Sequence, residues 1–139
     1  MGLDLTGRIG RVVIDPRDPD TVLVAALGHC HGPQKERGVF RTSDGGKSWQ
    51  HVLFVDENTG CFEIAADPSN PRILLAGMWP VVIRTWGRES GGPNGGIWKS
   101  TDGGITWKRL KGHGLPAPPL GKVGLAFAQS DPHVVYALI

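Results

Sequence analysis

Two short segments of the chain are near copies of each other: Thr42–Trp49 reads TSDGGKSW and Ser100–Trp107 reads STDGGITW. The similarity extends outward, because residues 37–52 align without gaps on residues 95–110. A second block occurs three times, starting near Arg11, Phe62 and Gly124, with Pro19, Pro71 and Pro132 at its shared position. Tandem repetition on this scale restricts the chain to folds in which one small unit is stacked on the next.

Each repeat is predicted to consist of β-strands. Segments such as RVVI, TVLVAAL, EIAA and RILLAGM are short, rich in β-branched and aliphatic residues, and bounded by Asp-Pro or Asn-Pro turns. The 21 glycines and 11 prolines of the chain also disfavour helices. One unit therefore has four strands, with an Asp-Pro turn between strands 1 and 2 and an Asp-Gly-Gly turn between strands 3 and 4.

Tandem four-stranded meanders that stack sheet on sheet predict an all-β fold, specifically a β-propeller of four-stranded antiparallel blades. The repeats predict blade 1 over residues 8–56, blade 2 over 60–111, and the first two strands of blade 3 over 122–139. Propellers have about four to eight blades, so two and a half blades predict a segment of a longer propeller. Closure of the propeller ring by identical chains is the weaker alternative. Each copy would supply the same half of a blade, and two identical halves do not complete one blade.

The Asp-Gly-Gly turns can be explained by turn chemistry without catalysis. Asp44 can accept hydrogen bonds from backbone amides just ahead of it, and the glycines that follow tolerate positive φ. Trp49 and Trp107 then supply large rings that can cover each turn and the neighbouring sheet. We therefore interpret the repeated segments as structural.

These segments carry a recognisable pattern, Ser/Thr-x-Asp-x-Gly-x-Ser/Thr-Trp, which is the Asp-box or bacterial neuraminidase repeat. From Gly7 to Ile139 the chain resembles Asp-box β-propeller proteins, in particular bacterial proteins described as sortilin N-terminal-like or as glycosyl hydrolases with these repeats. The positions that match the pattern are Thr42, Asp44, Gly46, Ser48, Trp49, Ser100, Asp102, Gly104, Thr106 and Trp107. Because such propellers include sialidases, polysaccharide-degrading enzymes, sortilin and an assembly factor, the resemblance implies a fold and leaves the function open.

Repeat geometry predicts where a functional site would lie. The Asp-Pro turns and Asp-Gly-Gly turns should share one face of the meander and keep a constant length, whereas the loops between strands 2 and 3, and the connections to the next blade, emerge on the opposite face. Residues 29–37 and 81–95 form the strand 2-to-3 loops, and the second is longer. Variable loops on a rigid scaffold are the usual place for binding and catalysis. In the resembling sialidases the active site also lies opposite the Asp-boxes.

The longer loop is the strongest candidate for ligand binding. Arg84, Trp86 and Arg88 combine an aromatic face with guanidinium groups, which suits a glycan or a polypeptide ligand. The alternative is that Trp79 and Trp86 pack onto the blade as anchors of the loop. Our main interpretation is a binding scaffold for glycan or protein; a glycoside hydrolase and a sortilin-like or assembly-factor polypeptide binder are the alternatives.

Carboxylates on the same face are candidates for glycoside hydrolysis, which requires two carboxyl groups that flank the scissile bond. Asp56, Glu57 and Glu89 are the candidates, each with a structural interpretation as a turn or surface residue. Glu63 lies on the innermost strand of blade 2, where it could line a central channel or pair with Arg11.

Cysteine and histidine residues lie at the same end of the blades. His29, His31 and a thiolate could bind a metal, but the spacing matches no ligand motif, and we predict no metal and no cofactor. Cys30 and Cys61 could form a disulfide between blades if the protein is exported, and two free thiols are the other possibility.

Charge and hydropathy exclude several partners. Fifteen Lys and Arg against thirteen Asp and Glu give a net charge of +2, and the basic residues are scattered rather than clustered. This balance predicts neither nucleic-acid nor membrane binding, and the sequence shows no signal peptide and no apolar run long enough to span a bilayer. An extracellular or periplasmic location is implied only by the family resemblance.

Overall fold

β-Strands follow one another along the chain in the order predicted from the repeats. The computed structural model describes residues 2–139, and in that range every regular element is a strand. The first sheet contains β1 (Ile9–Asp15), β2 (Asp18–Ala26), β3 (Gly38–Thr42) and β4 (Gln50–Leu53). The second contains β5 (Thr59–Ala66), β6 (Leu74–Arg84), β7 (Gly87–Ser90), β8 (Gly96–Ser100) and β9 (Lys108–Arg109), and the third contains β10 (Gly124–Phe127) and β11 (Val135–Leu138).

The strands pair as antiparallel meanders. The first sheet has the order β1-β2-β3-β4, the second has β5-β6-β8-β9, and β10 pairs with β11. All of these pairs are antiparallel. The predicted all-β fold with four-stranded antiparallel blades is therefore confirmed.

The segment 81–95 differs from the prediction, which treats it as a loop. β6 continues to Arg84, turns at Thr85 and Trp86, and returns as β7, with Val81 opposite Ser90 and Arg84 opposite Gly87. The β-branched residues that follow Pro80 prolong the strand beyond the length of its counterpart β2. The result is a two-stranded hairpin, which we call the β6–β7 hairpin, projecting from the second sheet.

Apolar side chains fill the space between successive sheets. The first interface buries residues from β2, β3 and β4 against residues from β5, β6 and β8, including Leu23, Val39, Met78 and Trp98. A second interface contains Leu75, Ile97, Val123 and Leu125. The sheets thus stack face to face, as blades of a propeller do.

The two ends of the sheets carry different connections. At one end the Gly45 amide donates to the Asp20 carbonyl at 3.0 Å, so an Asp-Gly-Gly turn contacts an Asp-Pro turn. At the other end the Gln34 amide donates to the Glu57 carbonyl at 2.9 Å, and the Gly92 amide donates to Leu120 at 3.1 Å. We call these ends the turn face and the loop face. Candidate ligand-binding residues lie on the loop face.

Candidate functional site

A cavity of about 520 Å³ opens on the loop face of the second sheet. One wall is the connection that follows β4, and the other is the base of the β6–β7 hairpin with the segment leading to β8. The lining residues are Asp56, Glu57, Asn58, Thr59, Pro80, Val82, Gly91, Gly92, Pro93 and Asn94. The structure therefore brings two of the three candidate carboxylates together at one cavity.

Asp56 is held by the walls of this cavity. Its carboxylate accepts hydrogen bonds from the Asn58 amide, the Thr59 hydroxyl and the Asn94 side-chain amide, each at 2.7 Å. Burial would raise the pKa of Asp56, but these hydrogen bonds outweigh it and lower the pKa below the usual value. Through these three donors Asp56 links the two walls of the cavity. Because its carboxylate stays ionised, Asp56 is poorly suited to act as a general acid.

Glu57 has a different environment. Its backbone carbonyl accepts the Gln34 amide, while its exposed side chain lies on the cavity rim. Glu89 is not among the lining residues; its carboxylate accepts a hydrogen bond from Arg84 Nε at 3.2 Å on the exposed hairpin. Among the residues that line the cavity, Glu57 is thus the carboxylate available to a ligand. The three candidates do not form one catalytic pair.

The β6–β7 hairpin presents Trp86 to solvent. The Trp86 side chain is 83% exposed at the turn, and the ion pair between Arg84 and Glu89 crosses the hairpin just behind it. The alternative of Trp86 as a packing anchor is therefore wrong. Trp79, by contrast, is buried, and its indole N–H donates to Ser90 Oγ at 2.9 Å.

Trp79 belongs to a cluster of rings and cations beside the hairpin. Phe62 meets Trp79 edge to face with ring centroids 6.2 Å apart, and Lys122 Nζ lies 3.4 Å from the Phe62 centroid. Arg88 lies over Trp79 at 5.9 Å. Arg88, a predicted ligand contact, therefore also braces the hairpin base. No sequence pattern marks Lys122 as part of this cluster, because only the fold places it above the Phe62 ring.

Arg37 is a buried cation that sequence analysis did not single out. Its guanidinium donates to the carbonyls of Asn58, Val81 and Gly32 at 3.0–3.2 Å, and its Nε has no partner within the described residues. Burial lowers the pKa of Arg37. Through its bonds to the Asn58 and Val81 carbonyls, Arg37 links the connection after β4 to β6, and so holds the two walls of the cavity together.

Of the two alternatives for the cysteines, a disulfide or two free thiols, the structure has two free thiols. Cys30 is an exposed free thiol, and Cys61 is buried with its Sγ donating to the Glu63 carbonyl at 3.3 Å, so the disulfide is not formed. Burial raises the pKa of the Cys61 thiol. His31 Nδ1 contacts the Ile83 carbonyl at 3.2 Å. Within residues 2–139, no three His, Cys, Asp or Glu side chains are grouped to hold a metal.

Glu63 pairs with Arg11 across the two innermost strands. Arg11 donates to both carboxylate oxygens, at 2.6 Å from Nε and 3.1 Å from the second nitrogen. Of the two alternatives for Glu63, the ion pair between blades is therefore observed.

The Asp-Gly-Gly turns lie away from the cavity, on the turn face. Asp102 accepts hydrogen bonds from Ser100 Oγ at 2.7 Å and from the amides of Ile105 and Thr106 at 3.0 Å. Partial burial opposes ionisation, but bonds from Thr106 and Ser100 outweigh it and lower the pKa of Asp102 to about 2. In the first turn, Ser48 and Thr42 lower the pKa of Asp44 in the same way. Both carboxylates are occupied within their own turns.

No helix in the described part of the chain is long and apolar enough to cross a membrane.

Comparison with known proteins places the chain beside xyloglucanases. It is 27% identical over 108 residues to the xyloglucanase Xgh74A of Acetivibrio thermocellus and 28% identical over 110 residues to a xyloglucanase of Hypocrea jecorina. The matches cover 72% and 73% of this chain but only 11% and 12% of those proteins. The chain thus spans about a tenth of the length of the relatives it matches. No protein-family model matches it.

Solved structures agree on the fold. An ancestral GH74 enzyme superposes with a TM-score of 0.70 at 22% identity, covering 96% of this chain and 16% of that one. The GH74 xyloglucanase of Xanthomonas campestris superposes with a TM-score of 0.63 at 18% identity, covering 93% and 18%. At these identities the likeness demonstrates a shared propeller fold.

Proposed function

We propose that this chain is a segment of the propeller of a polysaccharide-degrading glycoside hydrolase, and that its loop face contacts the glycan. The observation that carries the proposal is Trp86, a large indole held in solvent at the tip of a rigid hairpin. The base of the same hairpin, at Pro80, Val82 and Gly91, lines the cavity that contains Asp56 and Glu57, so polar groups lie on the same face as the ring. The names of the similar proteins supply the substrate class, a xyloglucan-type polysaccharide. The proposal thereby favours the glycoside-hydrolase alternative over a free-standing binding scaffold.

The chemistry of the hairpin suits a sugar polymer. An exposed indole offers an apolar face to the C–H groups of a pyranose ring, and aromatic residues of this kind contribute strongly to binding. Arg84 and Glu89 beside it offer donors and acceptors to hydroxyl groups, and because they neutralise each other they suit a neutral glycan. A flexible loop could offer the same groups, but paired strands hold them with less loss of entropy on binding.

Catalysis by the whole protein would need a second carboxyl group besides Glu57, because Asp56 is engaged by Asn58, Thr59 and Asn94. We therefore assign substrate positioning to this segment, with Glu57 as the carboxylate among the cavity-lining residues that could face the substrate. The Asp-box pattern at residues 42–49 and 100–107 belongs to the same proposal as a structural feature of the blades. A polymeric substrate cannot enter a cell intact, so we place the activity outside the cytoplasm.

Affinity electrophoresis in gels that contain soluble polysaccharide tests the proposal. Xyloglucan should retard the chain, and an unrelated neutral polymer such as dextran should not. Trp86→Ala should weaken the interaction about tenfold, which corresponds to about 1.4 kcal/mol for a lost aromatic contact. Ile105→Ala is the matched control, because Ile105 is an exposed apolar side chain on the turn face. Equal migration of the wild-type chain in all gels, or equal loss in both variants, would reject the proposal.

A further inference from the structure

The β6–β7 hairpin has two sides of different charge. Side chains alternate between the two sides of a strand, and residues paired across two strands lie on the same side. Val82 lines the cavity described above and is paired with Glu89, whose carboxylate is bound by Arg84. Ile83 is paired with Arg88, and both therefore lie on the opposite side. The side away from the cavity thus carries a guanidinium and, within the hairpin, no carboxylate.

Two aromatic rings on the side of Arg88 position a second cation. The Trp79 indole donates to Ser90 at the hairpin base, and its ring meets Phe62 edge to face. Lys122 Nζ lies 3.4 Å from the Phe62 centroid, and both Lys122 Nζ and Arg88 Cζ lie 5.9 Å from the Trp79 centroid. The electrons of an aromatic face attract a cation and hold it in place. We call this surface, formed by Phe62, Trp79, Arg88 and Lys122, the cationic side of the hairpin.

Neither Arg88 nor Lys122 is used by the fold to bind a carbonyl or a carboxylate. Within residues 2–139 neither side chain forms an ion pair or a hydrogen bond, and both residues are exposed. Other arginines at this end of the sheets differ, because their guanidinium groups donate to backbone carbonyls: Arg8, Arg37 and Arg109. The N–H groups of Arg88 and Lys122 are therefore available to a ligand, while the rings hold the two cations in position.

The segment that follows the hairpin adds positive charge to the same end. Residues 103–130 contain no Asp or Glu, and their four Lys or Arg residues are Lys108, Arg109, Lys111 and Lys122. The β9–β10 connection within this segment lies on the loop face, where Leu120 and Gly92 exchange two backbone hydrogen bonds of 3.1 Å. Charges of one sign on one surface raise the local concentration of a ligand of opposite sign. The chemistry of the cationic side thus favours an anionic ligand.

We propose that the cationic side binds the carboxylate groups of an acidic polysaccharide, one that carries uronic acids among its sugars. The inference rests on the proposed function for the assignment of the ligand as a glycan, since Trp86 at the hairpin tip is two residues from Arg88 and both meet the same polymer. A guanidinium binds a carboxylate through two parallel hydrogen bonds, and an ammonium adds a compact charge. The cavity side of the hairpin, where Arg84 and Glu89 neutralise each other, binds the neutral sugars of that polymer.

Calorimetric titration of the 139-residue chain with two forms of one ligand tests the inference. The first form is a neutral xyloglucan oligosaccharide, and the second is the same oligosaccharide after oxidation of its primary hydroxyl groups to carboxylates. At low salt the oxidised form should bind about tenfold more tightly, because it adds a charge-assisted contact. In 1 M NaCl, where the Debye length is about 3 Å, the two forms should bind alike.

Substitutions locate the effect on the surface. Lys122→Gln and Arg88→Gln should each lower the preference for the oxidised form about threefold, since each removes one of the two cations. Lys108→Gln is the matched control, because it removes the same charge from an exposed lysine next to the second Asp-Gly-Gly turn and should leave the preference as it is in the wild-type chain. Polyglutamate, which has carboxylates but no sugar, should bind much more weakly than the oxidised oligosaccharide.

The outcomes separate this inference from the proposed function. Equal binding of the two forms at low salt would overturn the inference and leave the glycan contact standing, whereas binding of neither form would reject both. Polyglutamate that binds as tightly as the oxidised oligosaccharide would also overturn the inference, because the surface would then recognise acidic chains in general. An equal loss of preference in Lys108→Gln and Lys122→Gln would overturn it as well, because net charge alone would then account for the effect.

Discussion

Replacing Asp102 by asparagine should destabilise the chain at neutral pH by about 1–2 kcal/mol. Asn has nearly the same shape but carries no charge, and its side-chain nitrogen cannot accept the hydrogen bonds from Thr106. The pKa of Asp102 is about 2 in the folded chain, compared with about 3.9 in an unfolded one. At about 1.36 kcal/mol per pKa unit this difference amounts to roughly 2.6 kcal/mol. The expected loss of stability is smaller, because water reaches the turn and screens the electrostatic interactions of the carboxylate.

The pH dependence has a definite sign. Because the pKa is lower in the folded state, the stabilisation is complete above about pH 4 and is lost as the pH falls towards 2. Urea unfolding followed by tryptophan fluorescence should therefore show a gap between wild type and Asp102→Asn at pH 7 that narrows steadily between pH 4 and pH 2. Asp131→Asn is the control, since Asp131 is exposed and its carboxylate accepts one hydrogen bond, from the His133 amide at 3.0 Å. Equal stabilities at pH 7, or a gap that persists unchanged to pH 2, would refute the account of the turn.

Three other substitutions or reagents test separate parts of the structure. Gly104→Ala should destabilise by more than 2 kcal/mol, because its Cβ would strike Leu23, whereas Gly103→Ala, at a similar positive φ but with open space, should cost only about 1 kcal/mol in urea unfolding. A thiol reagent such as DTNB should modify Cys30 within minutes and Cys61 only on unfolding, and rapid modification of both thiols would contradict the burial of Cys61. Arg37→Met should lower the free energy of unfolding by about 2–4 kcal/mol, because three carbonyls lose a charged donor; an unchanged urea midpoint would contradict this.

The repeat made the architecture predictable from sequence. Pro19, Pro71 and Pro132 mark the same turn in three units, and the alternation of strands and turns between them leaves four-stranded antiparallel units as the consistent solution. The opposite placement of turns and loops also follows from counting strands in a meander. These are local features, because each is determined by residues that are near neighbours in the chain.

Site details that depend on distant contacts were less predictable. Arg37 directly precedes β3 in sequence, but its role comes from the carbonyl of Asn58, in the connection after β4, and from the carbonyl of Val81 in the next blade. In the sequence Asp56 is an acidic loop residue, and only the fold brings the Asn94 side-chain amide within hydrogen-bond distance of its carboxylate. The β6–β7 hairpin could have been inferred from the run Pro80-Val81-Val82-Ile83, whose β-branched residues favour a strand over a loop.

The most direct test of the proposed function is chemical-shift mapping of the ¹⁵N-labelled chain during titration with a xyloglucan oligosaccharide. We expect saturable shifts at residues 84–90 of the β6–β7 hairpin and at residues 56–59 and 92–94 around the cavity, with the Trp86 indole N–H among the largest. Residues 42–49 and 100–107 on the turn face should show no change. Shifts confined to the turn face, or no shifts at millimolar oligosaccharide, would contradict a glycan-contacting role for this segment.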